Sequence, residues 1–226
     1  MGPSKRKLSK REEDEIRKYV KERLKNADIA HRFDHIEYVV KLAKKIGKKE
    51  GANLRILIPA AYLHDISFRG EGYANHTERS VREAETLLRK IGFSEKEIEK
   101  IKETIISSSF ESFTKGIEPK SIEGKVLRDA DWLEAMGARG IARAFAFGSY
   151  YGCKELGKVK WNLKKPPKLK FNLNKPDPSP IYHFFSKLLH LKEKMLTKTG
   201  KKLAEKRHKF MIEFLKRYKA ECEGKM

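Results

Sequence analysis

Apolar residues recur through most of this chain at intervals of three and four, the spacing that gathers them on one face of an α-helix. Ser9 with Glu12 three positions on predicts a capping box and a helix reaching about Leu24, broken by Asn26-Ala27-Asp28. His31-Arg32-Phe33-Asp34-His35 opens a second helix, with His35, Val39, Leu42 and Ile46 on one inward stripe; Gly47 and the Lys48-Lys49-Glu50-Gly51 segment are expected to end it. Asn53 is placed to cap a third helix, in which Ile56, Ala60 and His64 fall at successive i+4 positions. The glycines of Ile66 to Tyr73 then read as a loop.

A fourth helix begins at His76, carries Val81, Ala84, Leu87, Leu88 and Ile91, and stops at Gly92. Ser94 and Glu97 form a second capping box ahead of Ile98, Ile101 and Ile105, and Ser107-Ser108-Ser109 loosens that helix. Ser121 is placed to cap the helix holding Leu127, Asp131 and Ala135, and Gly137 to Phe147 reads as one more helix with small side chains. The period is lost from Gly148 to Pro180, where Pro166-Pro167 and Pro176 to Pro180 bracket alternating residues, so a long loop or a short exposed hairpin is expected. Two helices are expected to close the chain, from Ile181 to about Leu196 and from Leu203 through Tyr218, separated at Gly200 as an antiparallel pair. The fold class is therefore all-α: a basic tail at 1–9 and a single domain at 10–226, without a βαβ or phosphate-loop signature.

Composition narrows this picture only a little. The 52 Lys+Arg against 31 Asp+Glu leave +21, a field that holds anions whether they are nucleotides, nucleic acid or acidic lipid, although many of the lysines stand opposite glutamates on solvated helix faces. Cys153 and Cys222 have no metal-knuckle or disulfide spacing, and no run approaches membrane-spanning length. A cytoplasmic protein with no membrane partner is expected.

The chemistry lies in the polar residues that interrupt the apolar stripes. His64 and Asp65 finish an apolar helix, His35 looks inward from the start of another, and Asp131 sits on the apolar face of a third, where a carboxylate is costly unless paired or metal-bound. One core histidine satisfied by a hydrogen bond is unremarkable; two imidazoles and two carboxylates from separate helices suit one divalent ion, Mn, Fe, Co, Ni or Zn, or Mg where water completes the shell.

With these residues in place the chain resembles the HD-domain metal-dependent phosphohydrolase superfamily. The pattern of a histidine, a later His-Asp doublet and a distant aspartate falls on His35, His64-Asp65 and Asp131. It is most similar to an uncharacterised bacterial and archaeal branch whose last motif reads Asp-Ala-Asp-x-Leu-Glu-Ala, here Asp129 to Ala135, followed by Gly137-Ala138-Arg139-Gly140-Ile141-Ala142-Arg143. The likeness runs from about Asp28 to Glu223 and includes Ser179 to Phe184 and the Thr199-Gly200-Lys201-Lys202 turn.

The resemblance implies that His35, His64, Asp65 and Asp131 ligate the metal and that an activated water hydrolyses a phosphomonoester or phosphodiester. Asp65 has a second oxygen to steer that water or bridge to a second ion. Around this set, His76 is a candidate for phosphate or for a second ion with Glu71 or Glu78, against the plainer reading of a solvated helix end. Arg69 is a candidate phosphate contact or a surface salt-bridge partner. Asp129 points about 200° away from Asp131 and suits packing or hydrogen bonding, whereas Glu134 shares Asp131's side and is a candidate to orient a ligand. Arg139 and Arg143 pair with these acids or face phosphate. Ser108 stands where relatives in this branch carry a histidine, which favours a single ion.

The expected substrate is a small, nucleotide-like phosphate compound, with the lysines of 154–175 and the basic last helices drawing anions inward. The alternative is a nucleic-acid-binding protein with a structural or regulatory metal, since Trp161, Phe171 and Tyr182 lie among basic residues.

Overall fold

The computed structural model describes residues 7–27, 32–67, 75–157, 159, 161–163, 169 and 177–225. Among these the chain forms ten α-helices and one 3-10 helix and no strand. It divides into two compact units, Met1–Asp131 and Trp132–Met226.

In the first unit, α1 (Lys10–Arg23) begins with the expected capping box: the Glu12 amide donates to Ser9 Oγ at 3.2 Å and the Ser9 amide to Glu12 Oε2 at 2.8 Å. α2 (Phe33–Glu50) buries His35, Val39, Leu42 and Ile46 as the stripe requires. Gly47 does not end this helix. A Cβ there would meet Leu57 Cδ2 at 2.5 Å, so the glycine lets α2 approach α3, and the helix stops at Gly51, whose φ of +73° is the left-handed cap glycine favours.

α3 (Leu54–Leu63) is capped by Asn53, whose side chain accepts from the Arg55 amide at 3.0 Å, and every residue from Arg55 to Leu63 is buried. A helix apolar all round belongs in the middle of its unit, and α1, α2, α4 and α5 pack against it. Its one internal cation, Arg55, is matched from both sides. The guanidinium donates to both Glu12 oxygens at 3.1 Å, bonds Glu97 and lies 4.3 Å from the centre of the Phe93 ring. Glu12 and Glu97 are the two capping-box glutamates, so Arg55 ties the starts of α1 and α5 (Glu95–Ser108) to the start of α3.

α4 (His76–Ile91) stops at left-handed Gly92 as expected. Beyond α5 the three serines do more than loosen the helix. Ser109 ends α5 and caps a short α6 (Phe110–Thr114) that the periodicity does not announce, accepting from the Ser112 amide at 3.1 Å. Ser121 Oγ accepts from the Gly124 amide at 3.1 Å at the start of α7 (Ile122–Glu134).

In the second unit, α8 (Gly137–Tyr150) runs three residues past the expected start of the loop at Gly148. A Cβ at Gly148 would meet Pro180 Cγ at 2.4 Å, so this glycine serves the close approach of α8 to α9 (Pro180–Ser186). Within the remaining 148–180 segment, residues 158, 160, 164–168 and 170–176, like 1–6 of the tail, lie outside the described residues. The closing helices also differ from expectation. The chain leaves α9 at Lys187 (φ −137°, ψ −59°) and continues as a 3-10 helix, Leu188–Lys194. Three residues per turn put Leu188 and Leu191 on one edge, and both are buried. Gly200 separates nothing: it is buried in the first turn of α10 (Lys198–Cys222), and its amide donates to the cap Thr197 Oγ1 at 2.9 Å. Among the described residues no helix is long and apolar enough to cross a membrane.

Removing Arg55 strands two carboxylates that are largely withdrawn from water. Arg55→Ala is expected to lower the unfolding free energy by about 3–5 kcal/mol, whereas Arg82→Ala, which breaks an exposed pair with Glu78, should cost less than about 1 kcal/mol. Urea titration of both variants checks the contrast.

Candidate metal centre

The first unit brings the ends of three helices together around the His-Asp doublet. His64 follows the last residue of α3, where terminal carbonyls lack helical partners. Its Nδ1 lies 2.9 Å from the Ala61 carbonyl oxygen, so Nδ1 carries the proton and Nε2 faces the opposite way. There Nε2 lies 3.5 Å from Asp65 Oδ2 and 3.8 Å from Asp131 Oδ1, beyond ordinary hydrogen-bond length, and it is buried with no hydrogen-bond partner.

His35 enters from the first turn of α2, with Nε2 3.7 Å from both Asp65 Oδ2 and Asp131 Oδ1. The two imidazole centres are 5.6 Å apart and tilted by 55°. Asp131, one turn beyond buried Leu127 on α7, completes a group with His35 and His64 in which one ligand atom from each lies within 4.8 Å of the others.

These residues fit a divalent cation. Bonds of about 2.1 Å to one ion separate its ligand atoms by about 3.0 Å when they stand at right angles and about 4.2 Å when opposed, and the carboxylate-to-imidazole distances of 3.5 to 3.8 Å fall in that interval. The electrostatics agree. Burial alone would lower the His64 pKa, but the Asp65 and Asp131 carboxylates outweigh it and push the value up to about 9. Burial would raise the Asp131 pKa, but His64 and His35 hold it below the usual carboxylate value.

Asp65 faces two ways. Its Oδ2 meets the imidazoles, while Oδ1 lies 3.8 Å from Nε2 of His76, a buried residue at the first position of α4. Two serines fix that position: Ser67 Oγ donates to the His76 carbonyl at 2.8 Å, and the Ser67 amide donates to Ser80 Oγ at 3.2 Å. Of the other sequence candidates, Glu78 is exposed and pairs with Arg82. Buried Ser108 donates to the Ile105 carbonyl at 3.0 Å, and Asp129 is fully buried. Glu134, at the end of α7, engages Arg143 and accepts from Arg139 Nε at 3.1 Å. Arg69 and Glu71 lie outside the described residues.

Sequence reasoning gave no role to Ala61, Ser67 or Ser80, and none to an Asp177–His183 pair in the second unit, where His183 Nδ1 lies 2.6 Å from Asp177 Oδ2. Small residues at a helix end are the only hint of the first three. The aspartate preceding a proline and a capping serine is the hint of the last.

Comparison with known proteins follows this geometry. A family model described as the HD domain matches residues 32–136, the stretch from the start of α2 through α7. The uncharacterised protein YpgQ of Bacillus subtilis is 35% identical over 212 residues, covering 93% of this chain and 94% of its own. The crystal structure of YpgQ in complex with ADP aligns with a TM-score of 0.71 at 33% identity, over 92% of this chain and 94% of that one. A Lactobacillus plantarum protein aligns with a TM-score of 0.78 at 29% identity, over 96% and 99%. An HD-superfamily hydrolase of Bacillus thuringiensis aligns with a TM-score of 0.69 at 29% identity, over 94% and 97%.

A group whose folded pKa is raised stabilises the fold fully below its unfolded value, about 6.5 for histidine, and loses that contribution as pH rises through the folded value. For chelator-treated protein, urea midpoints should therefore fall from about pH 6.5 to about 9, where the folded His64 titrates. In His64→Ala the decline over that window should flatten.

Proposed function

The chain belongs to the HD-domain family, and from that premise we propose that it is a metal-dependent hydrolase of a phosphomonoester or phosphodiester on a small, nucleotide-like compound. The observation that carries this reading is the buried Nε2 of His64, turned by the Ala61 carbonyl toward two carboxylates and a second imidazole at distances too long for mutual hydrogen bonds. His35, His64, Asp65 and Asp131 hold the ion, and the mixed nitrogen and oxygen donors suit Mn, Fe, Co, Ni, Zn or Mg. When bound, the ion supplies Lewis acidity to a phosphoryl oxygen and lowers the pKa of water.

The side chains divide the remaining work. Asp65 uses Oδ2 on the imidazole side and turns Oδ1 toward His76. Oδ1 orients the attacking water and accepts its proton. His76, fixed by Ser67 and Ser80, donates Nε2–H to the phosphoryl group. Within the second unit, fully buried Glu134 holds the Arg139 and Arg143 guanidinium groups. One ion suffices in this scheme, since Ser108 offers a hydroxyl, a poorer metal ligand than an imidazole.

Two findings on relatives support the reading: the B. thuringiensis protein is described as an HD-superfamily hydrolase, which bears on the reaction, and YpgQ crystallised in complex with ADP, which bears on the nucleotide-like substrate. We place the chain in the cytoplasm, consistent with two cysteines that lack disulfide or metal spacing. The nucleic-acid alternative loses weight because the Trp161 ring, a candidate stacking platform, lies edge-on to Phe185 at 5.7 Å and stacks on Tyr218 at 6.5 Å. Phe171 lies outside the described residues.

Metal-stripped protein should regain hydrolysis of a phosphate-ester panel when reloaded with one or more of Mn, Ni, Co, Mg and Zn. His64→Ala and Asp65→Ala should lower kcat/KM by at least about a hundredfold, since even the partners of metal ligands are worth 10–100-fold. Elemental analysis of His35→Ala/Asp131→Ala should show loss of the ion. Full metal content in that double variant, or no hydrolysis with any metal, would sink the reading.

A further inference from the structure

We infer that the outer face of α10 docks double-stranded DNA through its phosphate backbone. This is a function beyond hydrolysis, and none of the metal-centre residues takes part in it.

Charge is unevenly divided along the chain. Residues 132–226 contain 23 Lys+Arg against 8 Asp+Glu, so the second unit holds +15 of the chain's +21 in fewer than half of its residues. The carboxylates nearest α10 already have partners: Glu205 lies 3.4 Å from Lys192 and 3.9 Å from Lys209, Glu221 pairs with Arg217 at 3.0 Å, and Glu223 pairs with Lys219 and Lys225. Among the described residues, Lys198, Lys202, Lys206 and Lys216 have no side-chain ion pair or hydrogen bond. The remaining residues of this unit include no Asp or Glu that could supply one.

α10 arranges these lysines as a ridge. Its buried side, with Ala204, Met211 and Leu215, belongs to a helix that packs against α8 and the 3-10 helix. On the water side, at about 100° per residue, Lys198, Lys202, Lys206, Lys209 and Lys216 fall within an arc of about 80°, and all five are exposed. They span about 27 Å of helix axis, the first three at steps of about 6 Å. Glu213 is the one carboxylate in that arc. Like charges at i and i+4 destabilise a helix, so the run is not placed for stability.

An extended polyanion answers such a ridge. Duplex DNA carries one negative charge about every 1.7 Å of its axis, and lysine meets phosphate as a point charge, without the planar fork of arginine. Other partners fit less well. A lipid surface is met through the apolar side of a helix, which α10 spends on its own unit. A single strand needs rings to stack on, yet Trp161, Phe214 and Tyr218 pack against one another or Phe185, and Phe210 is the one exposed aromatic of α10. The packing that counts against a single-strand platform leaves a backbone contact untouched. Ammonium groups carry no acceptor for the 2′-hydroxyl that marks RNA, and protein interfaces are depleted in lysine.

The test follows the fluorescence anisotropy of a labelled DNA duplex about two turns long, titrated with the full-length, metal-stripped chain across a salt series. Saturable binding is expected, with log K falling linearly against log salt. Lys198→Gln/Lys202→Gln/Lys206→Gln should weaken it at least about tenfold and flatten the slope by about 2 to 3, at roughly 0.9 per phosphate contact. Lys202→Gln alone should flatten it by about 1. The same change of charge at exposed Lys18, Lys21 and Lys25 should leave affinity and slope nearly unchanged, and so should His64→Ala, which separates this surface from the metal centre. Thermal melting checks that each variant is folded. Absence of duplex binding, equal weakening by the two triple variants, or tighter binding of the single strand, an RNA duplex or phosphatidylserine vesicles overturns the inference.

Discussion

A helix withdrawn from water along nearly its whole length cannot end in ionisable residues unless its surroundings receive them, and that constraint on α3 organises the first unit. At its start Arg55 is received by the capping-box glutamates of α1 and α5. At its end the His64 Nδ1–H donates a hydrogen bond to the Ala61 carbonyl, which satisfies part of the helix terminus and leaves Nε2 aimed at Asp65 and Asp131. Gly47 allows α2 close enough to deliver His35 to the same place. The same side chains thus stabilise the helix and present the candidate ligands.

Charge balance explains why the group stays together. Two carboxylates and two neutral imidazoles sum to −2, an expensive state for partly buried groups. One divalent cation cancels it; a proton on His64 relieves half of it, and the raised pKa of that imidazole expresses this partial solution. At 3.5 to 3.8 Å each imidazolium–carboxylate pair attracts, on the order of 4 kcal/mol at an effective dielectric constant of about 20. The distances leave room between the groups, where direct hydrogen bonds would have closed it. A proton and a metal ion compete for the same Nε2 lone pair, so metal affinity is tied to pH in this chain.

What could be read in the sequence was what local chemistry decides. The capping boxes at Ser9 and Ser94, the Asn53 cap and the apolar stripes of α2, α3 and α5 depend on neighbours within a turn, and they stand in the structure where the pattern puts them. The histidines and aspartates of the centre were legible because they break those stripes. Where tertiary contacts decide, the pattern misleads. Gly47 looked like a stop because glycine usually is one, but its missing Cβ serves the contact with Leu57. Gly200 looked like a hinge, yet Thr197 caps ahead of it. The break at Lys187 follows from burying Leu188 and Leu191 together, which the leucine spacing alone does not distinguish from an ordinary helix.

Glu134 illustrates how the structure selects between roles that spacing leaves open. Three positions beyond Asp131, it was read as a candidate to orient a ligand, with Arg139 and Arg143 either pairing with the acids or facing phosphate, and the structure gives its buried carboxylate to both arginines. A carboxylate without any water contact requires strong donors, and the two guanidinium groups supply them. Asp177 repeats the arrangement with His183 and Ser186. In both cases a withdrawn acid fixes the direction of a more exposed cationic or imidazole group, so the carboxylates of this unit set orientation and the chain's excess of Lys and Arg supplies the field.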